Sequence, residues 1–265
     1  MPALLDVHRV TVRFGGLVAL HEVSASIAEG EVVGVIGPNG AGKTTLFNVV
    51  CGFTSPTEGT IEWQGQPLRH HQPRHLARLG IARTLQGLGL YNHLSVLDNV
   101  LIGAGTHARS GLVAALLASP TADSDDTVLR ERAMAQLAAL GLDGYARALP
   151  GALPYGLQKR IALARALVVE PKLLLLDEPA SGLSHEEMRD LATLIRELRD
   201  RMSVLLVEHH MDLVMQVCDR IVVLDFGRCL TTGTPAEVRT DPRVLEAYLG
   251  EQIDEGTAEV ADAAD

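Results

Sequence analysis

From residue 4 to residue 36 apolar and polar side chains alternate in short runs, as in Val7, Val10, Val12 and Phe14. A period of two belongs to half-buried strands, so the chain opens with antiparallel strands interrupted at the Gly15-Gly16 turn. Val32 to Ile36 is then continuously apolar, as in a buried strand. It ends at Gly37, where glycines cluster, and Leu46, Val49 and Val50 take up a helical spacing soon afterwards. The continuous apolar pattern returns at Leu173 to Leu176, Val204 to Val207 and Ile221 to Leu224. Between the first two of these, Ser184 and Glu187 form a capping box for a helix carrying Met188, Leu191, Leu194, Ile195 and Leu198. Strands alternating with helices predict an α/β fold with a mainly parallel sheet, which binds its ligand at the carboxyl ends of the strands.

Residues 87 to 152 differ in character. They contain Ser119-Pro120, an acidic stretch from Asp123 to Asp126 that suggests a turn, and a helical pattern through Leu129, Met134, Leu137 and Leu140 before Gly141. This reads as an inserted helical subdomain. The segment after Gly250 lacks the apolar content to pack, and residues 251–265 are expected to be a disordered acidic tail.

A length of 265 residues with 47% apolar content suits one large domain carrying an inserted subdomain. The formal charge is -10, and six of the acids fall in residues 251–265, which leaves about -4 on the rest. Such a body has no excess of cations to neutralise phosphates along a nucleic acid, so nucleic acid is not expected as a partner. Cys51, Cys218 and Cys229 are odd in number and widely spaced, which fits buried, reduced thiols better than disulfides or a zinc site. The start, MPALLDVHRV, has no signal-like core, and no window approaches the ~18 apolar residues that cross a bilayer. A cytoplasmic chain, held at the membrane by other subunits if it works there, is the expectation.

Gly37-Pro38-Asn39-Gly40-Ala41-Gly42-Lys43-Thr44 matches the P-loop pattern. Backbone N–H groups must turn inward around phosphate oxygens, so glycines stand where a side chain would block the approach or forbid a positive φ. Lys43 supplies a point charge to the terminal phosphates and the Thr44 hydroxyl is a ligand for Mg²⁺, while Thr45 extends the amide-lined helix start that favours an anion. Such a loop needs a second carboxylate near the metal and a group to orient the attacking water. Asp177 and Glu178, directly after the Leu173–Leu176 strand, supply the two.

Taken together, these motifs resemble the ATP-binding cassette (ABC) family, over nearly all of residues 5 to 250. The markers run in family order: Phe14, the P-loop, Gln86 in IARTLQ, LPYGLQKRIALARAL, LLLLDEP, SGLS and Glu208-His209. More narrowly, RFGGLVAL, IARTLQ followed by LSVLDNV, the tyrosine in LPYG and GTPAEVRTDPRVLEAYLG look like the cassettes of branched-chain and hydrophobic amino acid importers. The resemblance implies one ATPase domain over residues 1–250, with a nucleotide-binding core and antiparallel subdomain in 1–86 and 153–250 and the helical subdomain at about 87–152. It implies ATP and Mg²⁺ as ligands, with Phe14 stacked on adenine, Gln86 reaching Mg²⁺ and water, and His209 touching the γ-phosphate. It also implies a second cassette, identical or similar, transmembrane permease subunits and, indirectly, a substrate-binding protein, with the chain peripheral at the inner face of the membrane. Relatives that power lipid or lipopolysaccharide export, and cassettes with no transport role, are the other readings the motifs allow. His70, His71 and His75 lack a matching acid or cysteine set and read as a solvated loop rather than a metal site. His210 stands where many relatives have an acid and receives no role.

One motif departs from the family. The signature loop, usually LSGGQ, reads Leu153-Pro154-Tyr155-Gly156-Leu157. In the family this loop faces the ATP of the opposite cassette, with its serine hydroxyl and amides on the γ-phosphate. Pro154 has neither a hydroxyl nor an amide hydrogen. Loss of one such donor commonly costs ~2.7 to 4 kcal/mol in charge-stabilising sites. The expectation is a dimer with one strong site, built on Lys43 and Glu178, and one weakened site facing Pro154, Tyr155 and Gly156. Ser184 also replaces the aspartate common in the SGLS segment.

Overall fold

The computed structural model describes residues 3–84, 87–104 and 120–248, with no account of side chains in 120–126. The chain divides into two compact units, Met1–Arg74 with Arg189–Asp265, and His75–Met188.

The first unit opens with β1 (Ala3–Phe14) and β2 (Leu17–Ala28), antiparallel partners whose register runs from Ala3↔Ala28 to Phe14↔Leu17. With β4 (Glu58–Trp63) and β5 (Gln66–Pro67) they form a sheet in the order β2-β1-β4-β5. Val7, Val10 and Val12 are buried, with register shifts between Val7 and Val10 and between Val10 and Val12, whereas Phe14 at the end of β1 is 52% exposed. A core role for that ring is thereby excluded.

The parallel part of this unit is built on β3 (Val32–Ile36), which runs between β8 (Ser203–Val207) and β9 (Arg220–Asp225). β10 (Arg228–Gly233) adds an antiparallel edge to β9. Every residue of β3 and β8 is buried, which explains their unbroken apolar runs. α1 (Lys43–Val50) packs Leu46, Phe47, Val49 and Val50 inward, and burial of the Phe47 ring alone contributes about 2 kcal/mol. α7 (Met211–Val217) and α8 (Pro235–Thr240) complete the unit, the second opened by a Thr234/Glu237 capping box. Glu31 ties the sheet ends together. Its carboxylate accepts both Nε and Nη2 of Arg220, at 2.8 and 3.0 Å, and the Ala28 amide at 2.7 Å.

The second unit contains α2 (Leu76–Leu79), β6 (Ile81–Arg83), α3 (Val96–Ala104), α4 (Pro120–Ala139), α5 (Tyr155–Leu167) and β7 (Leu173–Asp177), with β6 and β7 parallel. α6 (His185–Arg199) begins in it. Residues 123–126 lie inside α4 instead of making the expected turn. Proline is suited to a first helical position, and acids near a helix amino end are favoured by the macrodipole, so the same letters serve either structure. Asn99 is wholly buried and knots the loop before α3: Oδ1 accepts the Tyr91 amide at 2.8 Å, and Nδ2 donates to the carbonyls of Tyr91, Leu94 and Ser95.

Two smaller expectations are corrected. Cys51 and Cys218 are buried thiols outside any disulfide, and burial pushes the Cys218 thiol up to about 12; Cys229, however, is exposed, because it sits on the edge strand β10. His71 is not merely solvated. Its Nε2 lies 2.9 Å from the Val50 carbonyl at the end of α1, a structural contact. The acidic tail falls outside the described residues.

Candidate functional site

At the carboxyl end of β3 the chain turns into the P-loop. Gly37 has φ 150°, and a Cβ there would strike the Leu224 carbonyl oxygen and come within 3.0 Å of the Ala41 Cβ. Gly42, at φ 99°, caps α1, and a Cβ on it would stand 2.8 Å from the Ala19 carbonyl oxygen. At both positions hydrogen is the substituent that fits both the left-handed backbone and the space. Between them Gly40 reverses the chain, Asn39 lies on the outer turn, and the Ala41 amide donates to the Pro38 carbonyl at 3.2 Å. The loop is anchored on its far side by the Gly227 amide, which donates to the Ala41 carbonyl at 3.1 Å.

Lys43 is 9% exposed, and its Nζ donates to the carbonyls of Gly37 and Pro38 at 2.6 and 2.8 Å. The ammonium therefore lies folded along the loop it serves. Lys43, Thr44 and Thr45 form the first turn of α1, whose amides have no carbonyl four residues back within the helix. No acid occupies that turn, so the dipole end is left for an anion, and Thr44 is exposed.

β3 and β8 are parallel with Val35 opposite Val207, so the P-loop and Glu208-His209 leave the sheet from neighbouring strands at one edge. Glu208 is fully buried, and its Oε2 accepts the amides of His209 and His210 at 2.9 and 3.0 Å. His209 keeps its ring half exposed, 4.2 Å centroid to centroid from that of His210, with Nδ1 3.8 Å from Glu208. Glu208-His209 stands in the sequence as a family marker; the acid's bonds to the two following amides were not legible there. Gly42 abuts β2 at Ala19 and Leu20, just beyond the hairpin that carries Phe14.

In the second unit β7 ends at Asp177, whose side chain is 4% exposed and lies 3.9 Å from the Arg83 guanidinium of β6. Register explains the neighbour: Arg83 pairs with Leu175, and the Thr84 amide donates to the Leu175 carbonyl at 3.0 Å. Glu178 follows with φ 46°. A left-handed backbone at a residue with a Cβ costs on the order of 1 kcal/mol, so the turn that holds it is over-determined by its surroundings. The Ser181 amide donates to the Glu178 carbonyl at 3.2 Å, and Lys159 Nζ reaches the carbonyls of Glu178 and Pro179 at 3.4 and 2.7 Å.

Pro154 is the N-cap of α5, with no side-chain hydrogen bond to the helix start. Tyr155 is 44% exposed and lies along Gly182, whose hydrogen faces the ring where a Cβ would be 3.0 Å from Cε1. A Cβ on Gly156 would collide with Glu187 Oε1. That carboxylate is already in use: Oε2 accepts the Ser184 amide and hydroxyl at 2.8 Å each, which makes the expected capping box for α6. The Ser184 hydrogen bonds also hold the Glu187 carboxyl below the usual range. Arg165, further along α5, donates to the carbonyls of Gly89 and Leu88 at 2.6 and 3.0 Å and so clasps the loop after Gln86. Gln86 itself lies outside the described residues. Sequence patterns gave no hint of Arg83, Lys159 or Arg165, because each meets a backbone carbonyl or a carboxylate far away in the chain.

A glycine-rich loop opening an amide-lined helix in one unit, and a buried aspartate ending a strand with a left-handed glutamate after it in the other, are the elements of a nucleotide-binding cassette. The family model described as ABC transporter matches residues 20–181, and a second, described as branched-chain amino acid ATP-binding cassette transporter, matches residues 228–254. The chain belongs to the ABC transporter family, as an ATP-binding cassette that hydrolyses ATP. It is 42% identical over 250 residues to the high-affinity branched-chain amino acid transport ATP-binding protein LivG of Salmonella typhimurium, covering 94% of this chain and 98% of that protein. BraF of Pseudomonas aeruginosa, described in the same words, is 40% identical over 250 residues, with the same coverage. The lipopolysaccharide export cassette LptB of Acidithiobacillus ferridurans stands lower, at 33% over 255 residues, covering 96% of this chain and 99% of that one. Among solved structures, the ADP conformation of an ABC transporter cassette superposes with a TM-score of 0.82 at 30% identity, covering 95% of this chain and all of that one. Among the described residues no helix is long and apolar enough to cross a membrane.

Proposed function

We propose that this chain powers the import of branched-chain or other hydrophobic amino acids, working with a second cassette beneath permease subunits at the inner face of the cell membrane. The observation that carries the reading is agreement between two comparisons. Over 250 residues the chain is 40% to 42% identical to cassettes named for branched-chain amino acid transport, and residues 228–254 match a model named for the same task.

In this reading the P-loop amides and Lys43 cradle the terminal phosphates of ATP, and Phe14 stacks on adenine. The exposed Thr44 hydroxyl and the buried Asp177 carboxylate are hard oxygen donors of the kind Mg²⁺ takes, with Gln86 as a third. The ion, when bound, neutralises charge on the β- and γ-phosphates. Glu178 orients the attacking water as general base, Lys43 stabilises the charge that develops on the phosphoryl oxygens, and His209, aimed by Glu208, touches the γ-phosphate. Pro154 has no hydroxyl or amide hydrogen to offer the partner's ATP, while Tyr155 and Gly156 still face it, so the two composite sites differ in strength. That asymmetry favours a heterodimer in which the partner brings the stronger signature. ATP joins the cassettes and its hydrolysis parts them, gating the permeases.

The test is to purify the tagged chain from its native membranes in mild detergent. Two permeases and a second cassette should accompany it, and proteoliposomes of the complex should take up leucine only with the matching receptor outside and ATP inside. Copurification of a lipid-export permease instead, or leucine uptake indifferent to ATP, overturns the reading.

A further inference from the structure

The catalytic glutamate is held from an unexpected quarter. Glu178 leaves β7 in a left-handed backbone conformation, φ 46°, that a residue with a Cβ does not adopt unaided. Its carbonyl, and that of Pro179, point at the Nζ of Lys159, at 3.4 and 2.7 Å. Lys159 belongs to α5, the helix that begins with Tyr155, and its ammonium stands 5.4 Å from the centre of the Tyr155 ring one turn earlier. An ammonium with three donors on a long stem can hold two successive carbonyls of a turn at once, and charge makes each bond stronger than a neutral one.

We propose that Lys159 is a positioning residue for ATP hydrolysis: its ammonium fixes the strained Glu178-Pro179 turn, and Tyr155 steadies that ammonium. The signature segment, which faces the partner's nucleotide, is thereby tied within one chain to the acid that works on the chain's own nucleotide. A shift of Tyr155 moves Lys159, and a shift of Lys159 frees the backbone that aims the Glu178 carboxylate. This rests on the reading of Glu178 as the group that orients water.

The test compares Lys159→Met, Lys159→Arg and Glu178→Gln in the full chain with its copurifying subunits, normalising turnover to bound ATP so that unfolded material does not count. Lys159→Met should lower kcat at least about tenfold and leave the KM for ATP within about twofold, since the lysine touches no nucleotide. Lys159→Arg, whose guanidinium can also donate to both carbonyls, should recover most of the loss. A purely structural role would lower the amount of ATP-binding protein and leave kcat per site intact, and that result overturns the inference. Glu178→Gln separates the two readings. If it is inactive while Lys159→Met turns over normally, the positioning role fails alone; if it hydrolyses like the native chain, the assignment of Glu178 fails first.

Discussion

The buried carboxylate of Glu208 accepts the amide hydrogen of His209 at 2.9 Å and stands 3.8 Å from Nδ1 of the same residue. One oxygen therefore holds the backbone of the histidine that leaves β8 beside the P-loop strand, while the ring lies beyond hydrogen-bond distance of it. It also receives the amide of His210 at 3.0 Å, the N-cap of α7.

Glu208→Ala leaves two half-buried amides without this acceptor. A loss of about 2 kcal/mol of stability is expected, together with a fall in ATP turnover that exceeds any fall in ATP affinity. Glu208→Gln keeps a carbonyl acceptor and should retain most of the stability. Urea unfolding midpoints and kcat for the two variants check this; equal stability of Glu208→Ala and the native chain would contradict it.

Gly156 faces Glu187 so closely that any side chain must displace the carboxylate of the Ser184 capping box. Gly156→Ala should cost on the order of 1 kcal/mol, the usual worth of a helix cap. In a Glu187→Ala background the same substitution should cost much less, because the cap is already gone. Thermal unfolding of the two single variants and the double variant measures the coupling, and strictly additive losses would refute the shared contact.

Burial pushes the Glu31 carboxyl up, but the Arg220 hydrogen bonds, the Ala28 amide and the nearby guanidinium charges outweigh it, and the group is held below its ordinary 4.5. A folded-state value below the unfolded one adds stability above about pH 4.5 that is lost as the pH falls through the folded value. Glu31→Gln should therefore destabilise the chain clearly at pH 7 and by a shrinking margin as the medium is acidified past that point. Urea unfolding at a series of pH values shows whether the gap closes on the acid side; a gap that widens there would reverse the sign.

Pro154→Ser restores a hydroxyl and an amide hydrogen at the N-cap of α5. In the assembled transporter ATP turnover should rise up to about twofold, because a missing oxyanion donor slows such a site by about two orders of magnitude and its restoration adds a second working site to the strong one. Turnover equal to that of the native complex would remove the signature loop as the cause of any asymmetry.

Much of the core was legible because it follows from period and local chemistry. Val32 to Ile36 and Val204 to Val207 are buried on both faces and so read as unbroken apolar runs, and the Ser184-Glu187 box is a contact three residues long. The glycines at 37 and 42 announced the P-loop because few other constraints demand them in that spacing. What the letters did not disclose depends on main-chain groups that only the folded chain brings to a side chain. Lys159 finds its carbonyls about twenty positions away, Arg165 nearly eighty, and Asn99 closes a loop through four main-chain groups that no periodicity marks. The left-handed turn at Glu178 is likewise invisible, since the sequence there, Asp-Glu-Pro, would suit an ordinary extended exit from a strand. The acids of residues 123–126 misled because a turn and a helix start welcome the same side chains.

ATP cleavage by water, with Glu178 as the proposed water-orienting acid and Lys43 as the proposed phosphate ligand, is the central chemistry assigned to the chain. The most direct test is ATP turnover and equilibrium ATP binding of Glu178→Gln beside the native chain, with Lys43→Ala as the binding control. Glu178→Gln should bind ATP at least as tightly as the native protein while turnover falls about a hundredfold or more, and Lys43→Ala should lose binding. Native-like turnover in Glu178→Gln, or undiminished ATP affinity in Lys43→Ala, would contradict it.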